Sequence, residues 1–163
     1  MADDKTKIIK ANYRLQQKVG AGPLDPRAVL KSQQAMDNNT LDFGPVGLTI
    51  LKKIEDVINI AKSPEANSKD IKASLTTPVM ELKAHAALFH YSLISMLANV
   101  MLNFLEAIKD VDDDVIDIVR AHHDTLHMII VRQIRGGGGD SGRLLVEELQ
   151  QACDRYYQKK FSK

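Results

Sequence analysis

From Ala86 to Leu105 the chain carries no Asp, Glu, Lys or Arg, an uncharged run of twenty positions. A run of that length either spans a bilayer or lies inside a helical protein with other helices covering it on every side. His90, Ser92, Ser95, Asn99 and Asn103 interrupt it, and each is costly in hydrocarbon. Lys83 and Glu106 flank it without a positive bias on one side. The run therefore predicts a central helix of a bundle, with no membrane span.

The rest of the chain has the periodicity to build that bundle. Asp25 is a suitable N-cap for a helix that starts at Pro26 and runs towards Met36, stopping at Asn38-Asn39. A connection through Phe43-Gly44-Pro45 leads to a second helix, whose stripe is Leu48, Leu51, Ile54, Ile58 and Ala61. After a polar loop at 64–68, helix resumes near Lys69 and continues to about Phe89. Pro78 either kinks it or opens a new helix capped by Thr77. His90-Tyr91-Ser92 reads as a tight turn or as a bend in one long helix. The apolar helix from about Leu93 to Ile108 comes next, then one from about Asp113 to Arg135 with Val115, Val119, His122, Leu126 and Ile129 in register. Gly136 to Gly139 reads as a flexible hinge, and Asp140 or Ser141 as the cap of a last helix striped by Leu145, Leu149, Ala152 and Tyr156. The expected fold is all-α, an up-and-down bundle of five to six helices. Residues 1–23 form an N-terminal arm, 24–135 the bundle, and 136–163 the Gly hinge with a C-terminal helix packed on the bundle.

Composition narrows the function. Twenty-two Lys and Arg against 21 Asp and Glu leave a net charge of +1, which argues against a nucleic-acid partner and a polybasic membrane surface. One cysteine, Cys153, excludes an internal disulfide and a multi-cysteine zinc site. Its place beside Ala152 reads as small core packing. No secretion signal is visible at the start, so a cytoplasmic location is expected.

Few residues carry chemistry. His123 and His127 share a helix face at a spacing that suits two metal ligands, and Asp124 is adjacent. No Glu-x-x-His or His-Glu-x-x-His completes a set, so these stay weak metal candidates and no cofactor is expected. The Gly run lacks the Gly-Lys-Ser/Thr ending of a phosphate loop. The acidic stretch Asp110 to Asp117 lacks the Gly and final Glu of a calcium loop, and helix capping accounts for it.

The informative segment is Met80-Glu81-Leu82-Lys83-Ala84, succeeded by Phe89-His90-Tyr91-Ser92-Leu93 and closed by Leu105-Glu106. It resembles the core motif of histidine phosphotransfer domains, in which a helix carries His-x-Leu-Lys-Gly, a Gly turn comes after it, and a second helix ends near Leu-Glu. The motif covers about residues 70–108, and the helical layout of 26–135 suits the whole domain. The resemblance implies a four-helix core and a face that meets a response-regulator receiver domain or a sensor kinase. At the phosphoacceptor position stands Met80, whose thioether cannot take and release a phosphoryl group. Ala84 replaces the small Gly, His90 replaces the turn Gly, and Lys83 is retained.

The resemblance therefore implies a partner-binding face of Met80, Lys83, Ala84 and Ala87 without a catalytic residue. The expected function is a non-enzymatic protein of phosphorelay or chemotaxis-type two-component signalling. His85, about 140° around the helix from Met80, is the alternative phosphoacceptor if the chain relays phosphate after all. A third reading is a structural or oligomeric module unrelated to signalling, because the uncharged helix has apolar surface to spare for a homodimer.

Overall fold

A computed structural model describes residues 25–37, 42–63 and 67–161. The arm expected at 1–23 lies outside them. The described residues form six helices and no strand: α1 (Pro26–Asp37), α2 (Phe43–Ala61), α3 (Ser68–Leu88), α4 (Ser92–Ala107), α5 (Asp113–Val131) and α6 (Gly139–Phe161). The described residues fall into two units, the first holding α1 and the second α2 to α6, so the Gly run and α6 fall with the bundle. In α1, Asp25 caps as its sequence suggests, accepting a hydrogen bond from the Arg27 N–H at 2.9 Å.

In the second unit α2, α3, α4 and α5 form a closed up-and-down ring, in which each helix packs on the next and α5 returns to α2. Helix α6 lies against α4 and α5. Most of the apolar girth of α4 is thereby covered within the chain, with Met96 left exposed. Leu93, Ile94, Leu97, Ala98, Met101, Phe104 and Leu105 are all sealed. Phe104 meets Tyr156 edge-on at 5.4 Å and lies 5.8 Å from Tyr157, which clamps α6 to α4. Among the described residues no helix is long and apolar enough to cross a membrane.

Several boundaries differ from the sequence expectation, each for a local reason. Phe43-Gly44-Pro45 is the first turn of α2 and not a connection. Asp42 caps that turn by accepting from the Gly44 N–H at 2.9 Å, and Pro45 sits where N–H groups have no helical partner anyway. Phe43 is then buried against Phe89 and Tyr91, with centroids 5.7 and 4.9 Å away. The stripe of α2 runs through Phe43, Ile50, Leu51, Ile54 and Ile58, while Leu48 is exposed. Helix α3 continues through Pro78 as one element, so Thr77 is a helical residue and not a cap.

The 90–92 segment is a turn. His90 adopts φ 61°, the Tyr91 N–H reaches back to Ala86 O at 2.9 Å, and the His90 N–H reaches Ala87 O at 3.5 Å. That is the 6→1, 5→2 pattern that commonly ends a helix. The end of α5 repeats it at Gln133, with φ 51°, which stops the helix at Val131 instead of Arg135. At the other end of the bundle Lys72 Nζ donates to the carbonyls of Glu106 and Ile108, which close α4. The basic C-terminal pair is ordered on α6, with Lys159 pairing with Asp114 and Lys160 with Asp112.

The Gly run is built into the structure and is not a free hinge. The Gly136 N–H donates to His90 O at 2.9 Å, and Gly136 O accepts from the Leu93 N–H at 2.8 Å. Helix α6 begins directly at Gly139, which places Asp140 and Ser141 inside its first turn and not at the cap.

Candidate functional site

Helix α3 is apolar on two sides. Ile71, Leu75, Pro78, Val79, Leu82 and Ala86 face the core. On the outer side Met80 is 58% exposed and Leu88 53%, and Ala84 and Ala87 are exposed between them. At 3.6 residues per turn, Met80, Lys83, Ala84 and Ala87 fall within about 100° of arc. The structure thus brings the four sequence-derived residues onto one solvent-facing strip.

The two flanks of the strip differ. On the α2 side Glu81 accepts from Lys53 Nζ at 2.9 Å, an exposed ion pair of small energetic worth. On the α4 side Lys83 Nζ donates to Asn99 Oδ1 at 2.7 Å in a partly buried setting. A neutral amide fixes this ammonium without cancelling its charge.

Lys83 and Asn99 also line a cleft of about 740 Å3 between α3, α4, the Gly136 segment and α6. Ala87, Met96, Val100 and Val146 supply its apolar surface, and His90, Ser92 and Ser95 complete the polar rim. Sequence reasoning missed this cleft, although α4 carries a signal for it. Ser92, Ser95 and Asn99 recur at steps of three and four, so they share one face of an otherwise apolar helix.

The histidines do not assemble a centre. His85 is half-buried, off the exposed strip. His123 Nδ1 lies 3.0 Å from Asp124 Oδ1, and its ring stacks on His127 at 6.3 Å. Among the described residues no group of three or more His, Cys, Asp or Glu side chains is placed to hold a metal ion. His122 is fully buried, and its Nδ1–H donates to Ile118 O at 2.9 Å. Its Nε2 is buried with no hydrogen-bond partner among the described residues. Burial holds its pKa below the ordinary value, so the ring is a neutral core group. Burial also pushes the Cys153 thiol up to about 12, away from the thiolate that a nucleophile needs.

No protein-family model, curated protein or solved structure matches the chain.

Proposed function

We propose that this chain is a non-catalytic docking module of two-component signalling, binding a receiver domain or a sensor kinase through the outer face of α3 without relaying phosphate. The observation that carries this reading is the exposure of Met80 in the middle of an apolar strip, with Lys83 at its edge. Methionine is flexible and polarizable and suits a surface that must adapt to a partner. Ala84 and Ala87 keep the strip low, so that a partner can approach the helix closely. Phosphoryl transfer depends on a positioned acceptor, and a thioether supplies none. Such partners would place the chain in the cytoplasm.

Titration of the purified chain with a panel of receiver domains and sensor-kinase fragments tests the reading. Saturable binding is expected, weakened at least about tenfold by Met80→Asp, which puts a charge at the centre of the contact. Incubation with a phosphorylated receiver is expected to leave no acid-labile phosphate on the chain. The double change Met80→His, Ala84→Gly is expected to gain it. Label on His85 of the unaltered chain would overturn the non-catalytic reading.

A further inference from the structure

The cleft beside Lys83 has a composition that a protein-docking strip does not need. Its lining contains no Asp or Glu, and Lys83 is its one Lys or Arg. Lys83 makes no ion pair with any described carboxylate, and its hydrogen bond goes to the neutral Asn99 side chain. A partly buried ammonium held in this way keeps a full unit of charge aimed at whatever enters. Because Asn99 accepts through Oδ1, its amide N–H groups are left to donate, and Ser95 adds a hydroxyl on the same helix face. One cation with two neutral donors matches a monoanion, whereas a phosphate dianion calls for more positive charge. Beyond that polar corner the walls are Ala87, Met96, Val100 and Val146, and the volume falls in the range of small-molecule sites.

We propose that the cleft binds a small monocarboxylate bearing an apolar tail, with its head on Lys83, Asn99 and Ser95 and its tail against Met96, Val100 and Val146. Carboxylate binding here does not depend on receiver docking, although Lys83 and Ala87 border both surfaces.

Octanoate, octanol, acetate and inorganic phosphate are titrated separately into the full chain, with calorimetry and the methionine methyl NMR signals as readouts. Octanoate is expected to bind at least about tenfold more tightly than the other three, because only it uses both the charge and the apolar wall. The Met96 methyl signal is expected to shift with saturation. Lys83→Met is expected to reduce octanoate to the affinity of octanol, and Lys83→Gln repeats the test with a polar side chain. Ala87→Trp, on an exposed position at the mouth, is expected to block both ligands without lowering the melting temperature.

Octanol binding as tightly as octanoate would mean that no head-group seat exists and would overturn the proposal. Acetate or phosphate matching octanoate would reduce the site to a bare anion contact and would also overturn it. So would octanoate affinity left unchanged in both Lys83 variants.

Discussion

A Cβ on Gly142 would lie 2.1 Å from the carbonyl oxygen of Gly137, far inside van der Waals contact. Gly142 is buried in the first turn of α6, and the backbone of the Gly run folds directly over it. The obstruction is backbone and not a flexible side-chain end, so the loop itself has to move. Gly142→Ala is therefore expected to lower the melting temperature markedly and to loosen the Gly136 contacts with His90 and Leu93. Gly139→Ala is the control. Its φ of 60° is strained for alanine, but nothing lies within 4 Å, so a loss of only about 1–2 kcal/mol is expected. Thermal denaturation of the two variants checks the order.

His90 and Gln133 both sit in the left-handed region that glycine occupies freely, each as the residue that ends a helix. His90→Gly and Gln133→Gly are each expected to stabilise the chain by roughly 0.5–1 kcal/mol, measured by urea denaturation. A loss of stability in either would show that the side chain contributes more than its backbone strain costs.

The buried His122 ring makes an acid-sensitive contribution. Its folded pKa lies below its ordinary value of 6.5, so in acid the unfolded chain takes up a proton that the folded chain resists. Stability from this group is complete above the unfolded pKa and falls as pH drops below it towards the folded pKa. The slope for one such group is at most about 1.4 kcal/mol per pH unit. Urea denaturation at about pH 7.5 and about pH 5.5 is expected to show a smaller loss for His122→Met than for the parent chain. Equal losses would place the acid sensitivity elsewhere.

Cys153 is sealed between α6 and the bundle, with its thiol pushed up to about 12. The native chain is expected to react with a thiol-specific reagent only at the rate of global opening. Full reaction should appear once denaturant is added. Rapid labelling of the native chain would mean that α6 detaches readily.

Helix α5 was legible in the sequence because Val115, Val119, His122, Leu126 and Ile129 recur at steps of three and four, and all five are buried. Helix α2 was less so. Leu48 and Ile50 both offer apolar side chains in different phases, and only the neighbouring helices decide that Ile50 is covered. Gly136–Gly139 reads as slack in the sequence, because hydrogen bonds to residues more than forty positions earlier leave no local trace. The strip on α3 was accessible because its members lie on one helix. The cleft was not, because Lys83, Asn99, Gly136 and Val146 come together only when distant parts of the chain pack.

The paired bonds between Gly136 and the His90–Leu93 turn latch the start of the last helix to the end of the bundle where α3 turns into α4. Swinging that helix out to exchange with a neighbouring copy would break both bonds. It would also strip Phe104 of its two tyrosine neighbours. The four consecutive glycines therefore act as a fitted splice that resists trading of the helix between molecules, and the back wall of the cleft stays in register with the helices in front of it.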